Sequence, residues 1–482
     1  VFRTTRQFYI ALGSLILVLG VALGIVLATG DSAGQPLKAS MSFLPEGAGG
    51  LPQVAIQFEP GSLPERSAAE AALELAPANQ NWLASTPLAG DFSWDGATLL
   101  FTPASRLLPD TFYHLRLKGG LKLAKGGRLS YDPAEWDFRT PPARLLYLKR
   151  QGKATNLWLQ EPGNEPRQLT FETERQVLEY TLSPGGQRLV YSLQETNALD
   201  ASLWLINLAG SPPGQPLKLV SEKNVRATAP RWSPGGDLIA YERRLVFDSG
   251  GFSPAQLWLV KPDGTSLAPL YGGADRVGVD LAWVQGGDQA FFWEPRRQAL
   301  GLFNFGGEPE WNPMPKLQPS SLAPSPDGKE VIIARYDFSG AEEKQVLWRL
   351  ARPDKTKAWQ PDPHQPVTPP GYNDHDPVWS PDGRLVAFTR QGSATGPDRA
   401  SRLWVFDTQT GQTRPLLELS QAEAGFSYGG LSWSSDGQKV FFERYPAGVR
   451  SGTAQSEIWE ASANGQNLRR LVSGAFGAQL TN

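Results

Sequence analysis

One signature recurs six times in this chain, and it constrains the fold more than any other feature. It reads LSPGGQRLVYS (182–192), WSPGGDLIAYE (232–242), WVQGGDQAFFWE (283–294), PSPDGKEVIIAR (324–335), WSPDGRLVAFTR (379–390) and WSSDGQKVFFER (433–444). Its turn positions, Pro184, Pro234, Gln285, Pro326, Pro381 and Ser435, lie 41 to 55 residues apart. A second signature follows each copy: SLWLI (202–206), QLWLV (256–260), GLFNF (301–305), VLWRL (346–350), RLWVF (402–406) and EIWEA (457–461). Several units close with a further strand such as PLKLV or LRRLV. Four short strands in a unit of about 50 residues is the period of a β-propeller blade.

The motif is physically legible. Ser-Pro-Asp-Gly is a tight hairpin: proline presets φ at the second turn position, aspartate tolerates the third, and glycine supplies positive φ after it. The preceding tryptophan reads as an apolar plug between blades. LVAF and LIAY are continuously apolar, as strands buried on both faces are. Residues 144–170 hold the second, third and fourth strands of a unit, with no SPDG-type strand before them. The final GAFGAQLTN (474–482) follows a complete sixth unit and would supply that missing inner strand. A ring closed in this way has no open sheet edge. The expected count is seven blades, with a six-blade ring and an irregular first segment as the alternative.

The SPDG–(I/L)AY–LW series resembles the WD-like propeller repeats of the TolB family, periplasmic propellers of the Tol system, across residues 142–482. Two departures separate the chain from that family. TolB repeats form six blades behind a small α/β domain, and TolB has no transmembrane anchor. A Tol-type role therefore does not follow from the resemblance.

Ahead of the repeats, residues 38–141 alternate in the strand manner: KASMSF, QVAIQFE, TLLFTP, YHLRL and EWDFRT are strand candidates. SLPERSAAEAALELAP (62–77) is expected to be one short helix, capped by Ser62, with Pro64 near its first turn. Pro109-Asp110 makes a turn before Tyr113, whose hydroxyl is placed to tie nearby backbone. QFEPGSLPERS, LLFTPASRLLPDTFYHLRL and WDFRT resemble the bacterial Ig-like domain of S-layer and other surface proteins. That resemblance implies a spacer or adhesion module without an active site.

The N-terminal residues 8–28, FYIALGSLILVLGVALGIVLA, carry no charge. Their length suits a transmembrane helix, with a cleaved signal peptide as the rival reading, and Arg3 and Arg6 before them place the N-terminus in the cytoplasm by the positive-inside rule. The expected plan is all-β apart from this segment. Residues 1–30 form a cytoplasmic stub and signal anchor, 31–37 a linker, 38–141 an Ig-like β-sandwich and 142–482 a TolB-like β-propeller. The bulk of the chain then lies outside a cytoplasmic membrane crossed once.

Chemistry is sparse. The absence of cysteine excludes disulfides, thiolate sites and a lipidated cysteine. Lys plus Arg (46) nearly cancels Asp plus Glu (48), so nothing favours nucleic acid. No G-x-S-x-G elbow, P-loop or dinucleotide fingerprint is present. The one stretch dense in candidate ligands is NDHDPVWSPDGR (373–384), with Asp374, His375, Asp376 and Asp382. Aligned on the repeat, Asp376 falls where Ala229 and Asp280 stand, and Asp382 is the turn aspartate matched by Asp327 and Asp436. His375, flanked by Asp374, is what stands out. A zinc site wants three or four converging ligands, and the other histidines are His114 and His364. No metal, cofactor or catalytic residue is assigned. The inserts 242–256, 390–402 and 443–457 are hairpins on equivalent blade edges and carry Arg243, Arg244, Arg399, Arg402 and Arg450. These arginines, with Asp374 and His375, are the candidate ligand-face residues, because loops on a rigid scaffold are where propellers bind. The function expected is binding or scaffolding of a protein, peptide or cell-envelope partner. An extracytoplasmic lyase or hydrolase acting on polysaccharide or peptide in the channel is the alternative; the few histidines and the lack of a converging acid pair weigh against it.

Overall fold

The structure is a computed structural model that describes residues 34–47, 51–78, 86–196, 198–209, 214–272, 276–284, 289–305, 307–314, 319–337, 344–351, 366–392, 400–418 and 425–481. It divides into two compact units, one ending at Ala143 and one spanning Arg144–Thr481.

The first unit is built from two antiparallel sheets. Ala39–Leu44, Gln53–Phe58, Thr98–Pro103 and Gly90–Asp95 lie side by side in that order. Leu73–Pro77, Phe112–Leu117 and Ala134–Arg139 form the other sheet. Ala134–Arg139 alternates strictly between buried and exposed residues, which is what a strand with one face on a core requires. Val54, Ile56, Leu99, Leu115, Trp136 and Phe138 belong to one apolar cluster fed by both sheets. The helix expected over 62–77 is much shorter, Arg66–Ala72. Leu73–Pro77 is instead drawn into the sheet, with Leu73 opposite Leu117 and Pro77 opposite Tyr113. Tertiary pairing overrides the helical propensity of an alanine-rich run. Ser62 does not cap this helix: its Oγ accepts the Lys38 N–H at 3.1 Å.

Tyr113 is buried, and its hydroxyl accepts the Leu108 N–H at 2.8 Å. Burial raises its pKa. Tyr113→Phe removes the acceptor and leaves the Leu108 amide without that partner. The expected loss is about 1 kcal/mol, read as a lower urea midpoint with an unchanged slope.

The transmembrane helix in the expected fold class is corrected. Among the described residues no helix is long and apolar enough to cross a membrane. The helix found there has seven residues, about 10 Å at helical rise against about 30 Å of hydrocarbon. The stretch 8–28 lies outside the described residues.

The second unit is an all-β ring of seven blades. Blade 1 takes its inner strand from the end of the chain: Phe476–Leu480 pairs antiparallel with Leu145–Gln151, followed by Ala154–Gln160 and Arg167–Gln168. Blade 2 is Gln176–Leu182, Arg188–Gln194, Ala201–Asn207 and Leu217–Val220; blade 3 is Val225–Trp232, Ile239–Leu245, Gln256–Val260 and Ala268–Pro269. Blade 4 is Val279–Trp283, Gln289–Glu294, Ala299–Asn304 and Glu310–Pro313. Blade 5 has Pro319–Pro324, Glu330–Asp337 and Lys344–Ala351, with Pro366 bridging to Trp348 at its outer edge. Blade 6 is Asn373–Trp379, Leu385–Gln391, Ser401–Asp407 and Gln412–Pro415; blade 7 is Phe426–Trp433, Lys439–Pro446, Glu457–Ser462 and Arg469–Ser473. The six-blade alternative is thereby set aside.

The repeated turn has one geometry. Gly236, Gly328, Gly383 and Gly437 each donate their N–H to the carbonyl of the serine three residues earlier, at 2.9 Å. Their φ values are 68–71°, the left-handed region that glycine enters without a Cβ clash. The serine Oγ then accepts the N–H five residues on, as in Ser380 to Leu385 at 2.9 Å. Ring closure reproduces this pattern across the chain ends. Thr481 Oγ1 accepts the Arg144 N–H, and the Thr481 N–H donates to the Arg144 carbonyl, both at 2.9 Å. The motif tryptophans are also more than plugs. Nε1 of Trp283, Trp379 and Trp433 donates to the inner strand of an adjoining blade, at Arg231 O (3.1 Å), Ala323 O (2.8 Å) and Val378 O (3.1 Å) respectively.

Candidate binding face and channel wall

The inner strands that line the channel share a bulge. Their pairing slips between Thr228 and Arg231, Val279 and Ala282, His375 and Val378, Gly429 and Ser432, and Phe476 and Gln479. Inside each slip one residue is left-handed: Ala229 (50°), Asp280 (55°), Asp376 (52°), Gly430 (58°) and Gly477 (64°). A bulged residue drops out of its own ladder, so its N–H needs another acceptor. Carboxylates on the preceding blade supply it in three places. Ala229 N–H donates to Glu179 Oε1 at 2.6 Å, Asp280 N–H to Glu242 Oε1 at 3.1 Å, and Gly477 N–H to Glu443 Oε1 at 2.8 Å. The equivalence of Asp376 with Ala229 and Asp280 is thus a shared backbone state.

Asp374 is not on a ligand face. It is fully buried, and both its oxygens accept from Arg390, at 2.7 and 2.8 Å. The Arg390 guanidinium lies 4.4 Å from the ring centre of Tyr372 and 4.3 Å from that of Trp404. His375 Nδ1 sits 2.8 Å from Asp376 Oδ2. Arg243 pairs with Glu222 at 2.6 Å and stacks on Trp258 at 5.0 Å. Arg244 pairs with Glu242 at 3.1 Å. Arg402 donates to the Phe426 carbonyl at 2.7 Å, and Arg450 is exposed. Arg399 and His364 lie outside the described residues. Among the described residues no group of three or more His, Asp or Glu could hold a metal ion.

Two features escaped sequence reasoning. The first is a repeated arginine–tryptophan stack: Arg243 on Trp258, Arg335 on Trp348 (4.8 Å), Arg390 on Trp404 and Arg444 on Trp459 (4.9 Å). Its signal was present in the arginine two residues beyond the strand centre, as in AFTR, IIAR and FFER. The strand centre pairs with that same tryptophan across the strands, as Phe388 does with Trp404. Cation–π contact of this kind adds about 0.5–2 kcal/mol.

The second is an acid pair that the sequence did not lead one to expect. Glu242 and Asp280 stand on adjacent blades and meet at the bulge. Asp280 stays exposed at the surface of the bulge; partial desolvation there, then the charge of Glu242, pushes its carboxyl up to about 6, while Arg231 and Arg244 pull it the other way. A carboxyl with that pKa exchanges a proton near neutrality and has the character of a general acid or base. The same shift sets a sign for stability. Between its ordinary value near 4 and about 6, the folded state binds the proton more readily than the unfolded state. Stability from this group therefore falls as pH rises through that window. Asp280→Asn removes the charge and keeps a residue that tolerates left-handed φ. Its melting temperature should exceed that of the unaltered protein at pH 7.5, by a margin that vanishes at pH 4.

On the side of the second-to-third-strand hairpins, blades 1 and 2 flank a polar pocket of about 330 Å³, lined by Arg150 and Lys153 of blade 1 and by Glu174, Gln176, Gln194 and Glu195 of blade 2. Gln176 and Gln194 are cross-strand partners. Thus the pocket offers amide and charged groups of both signs.

No family model matches the chain, and no curated protein matches it. Among solved structures it is similar to TolB from Acinetobacter baumannii, at 14% identity, covering 78% of this chain and 81% of that one, with a TM-score of 0.42. It is similar to an oligogalacturonate lyase in complex with manganese, at 12% identity, covering 63% and 74%, TM-score 0.41. A periplasmic gluconolactonase of Pseudomonas aeruginosa is 13% identical, covering 70% and 99%, TM-score 0.45. Likenesses this distant carry no activity or partner across to this chain.

Proposed function

We propose that the propeller is a binding module that holds a protein, peptide or cell-envelope ligand against its hairpin face, with the first unit, read as an Ig-like sandwich, serving as a spacer. The observation that carries the reading is the pocket between blades 1 and 2. Among the described residues the side chains of Lys153, Glu174 and Gln176 make no hydrogen bond or ion pair within the protein, although they line one cavity. Donors and acceptors left open at strand ends and in the turns beside them are what a ligand site offers. Hydrogen–deuterium exchange of the protein, alone and with cell-wall polysaccharide or a peptide digest, tests this. Protection is expected in 150–153, 174–176 and 194–196, weakened at least tenfold in apparent affinity by Lys153→Glu. Exchange in these segments that no fraction alters would overturn it.

The acid pair favours a second reading, that of a lyase or hydrolase working in the channel. Asp280 would act as the proton donor or acceptor, with Glu242 tuning it. Turnover of polysaccharide or peptide that disappears in Asp280→Asn, without loss of folding, would place this reading first.

A further inference from the structure

We propose that the projecting hairpin of blade 3, with the neighbouring hairpin of blade 2, docks an acidic peptide segment that carries aromatic or aliphatic side chains between its carboxylates. The inference rests on reading the propeller as a binding module but uses residues other than those of the polar pocket. Strand Ile239–Leu245 outruns its partner Gln256–Val260, so residues 246–255 stand beyond the sheet. This loop has a fixed backbone. Val246 bridges Phe252, the Ser253 N–H donates to Leu245 O at 2.9 Å, and the Gly250 N–H donates to Phe247 O at 2.9 Å. The Val246 N–H reaches Asn224 O at 2.8 Å, and the Leu245 N–H reaches Ser253 Oγ at 2.8 Å. The lip nonetheless presents Leu245 (45% exposed), Phe247 (48%) and Phe252 (40%), next to Leu199 (38%) of the blade 2 hairpin. Single exposed apolar residues are ordinary. Four on two adjoining, hydrogen-bonded hairpins mark an interaction surface, and a preformed surface gives up little ordering entropy on binding.

Charge selects the partner. Arg226 lies within this apolar set: one guanidinium nitrogen donates to Leu199 O at 2.8 Å, and its centre is 5.4 Å from the Phe252 ring. Directly across the strands from it stands Arg244, and like charges in that position repel. Arg244 has Glu242 as an ion-pair partner, whereas Arg226 makes no ion pair with a carboxylate among the described residues. Glu179 reaches it only as a more distant charge. The arginine keeps free donors in an apolar collar, so its complement is a carboxylate flanked by apolar side chains. A lysine-bearing segment would meet the Arg226 guanidinium; Arg244, already paired with Glu242, does not decide the choice.

The test is fluorescence anisotropy of the full chain with two labelled peptides, one alternating glutamate with phenylalanine and leucine, the other with lysine in place of glutamate. Vesicles of neutral and of anionic phospholipid form the third arm. The acidic peptide should bind saturably, and Arg226→Gln and Phe247→Ser should each weaken it at least tenfold with folding intact. No binding, equal binding of both peptides, indifference to the two lip variants, or binding to anionic vesicles alone would each overturn the proposal. Loss of peptide binding with protection at the pocket preserved would remove this surface alone. The reverse outcome would remove the pocket reading and leave the lip standing.

Discussion

Deletion of residues 476–481 is expected to abolish the cooperative unfolding of the propeller. The strand Phe476–Leu480 is short, but it is held from three sides. It pairs with Leu145–Leu148 of blade 1. Blade 2 reaches it through Tyr180, whose hydroxyl donates to Gly477 O at 2.6 Å, while Gln479 Nε2 donates to Tyr180 O at 3.1 Å. Blade 7 reaches it through Glu443 on the Gly477 amide and through Ser432 Oγ on Ala478 O at 3.2 Å. Ala475 and Ala478 pack in one apolar cluster with Leu145, Tyr147 and Ile458. Removing the strand leaves the Glu443 carboxylate and the Arg144 backbone without these partners. Each orphaned buried group costs about 1–3 kcal/mol, and the edge of blade 1 becomes a template for aggregation. Urea unfolding followed by tryptophan fluorescence should change from one sharp transition to a broad one at lower midpoint. A curve superimposable on that of the intact chain would show that closure contributes nothing.

Asp374→Ala is expected to cost about 3–5 kcal/mol, because it strands a buried guanidinium. Sequence reasoning points the other way: Asp374 stands outside the repeated packing positions, and in a loop its loss would be nearly silent. The structure places it with no exposed surface, clasped by both arms of Arg390 at 5% exposure. Breaking one side of such a pair is costly, whereas replacing both partners by apolar groups of similar shape is often near neutral. The double variant Asp374→Leu/Arg390→Met should therefore recover much of the single loss. His375→Ala, beside it, should shift stability little, since that ring is partly exposed and paired with the exposed Asp376. Chemical denaturation of the three variants decides the matter: equal midpoints for Asp374→Ala and His375→Ala would contradict the buried-pair account.

The all-β, propeller-like character of the chain was legible because it is written locally. A turn needs one residue of positive φ, and Gly236, Gly328, Gly383 and Gly437 announce it within five residues of the serine they bond. Burial on both faces of a strand shows as an uninterrupted apolar run, as in Leu385–Phe388. Even ring closure left a trace, since a first unit without its inner strand and a surplus strand at the other end imply each other. Only the tertiary structure decided between six blades and seven, drew Leu73–Pro77 out of its expected helix, and gave the charged residues their partners. Glu242 and Asp280 lie 38 positions apart, Glu443 and Gly477 lie 34 apart, and Tyr180 and Gly477 lie 297 apart. No periodicity within a strand encodes those distances. They depend on how neighbouring blades are rotated about the channel, and that rotation is fixed by packing between blades, to which each repeat contributes only half.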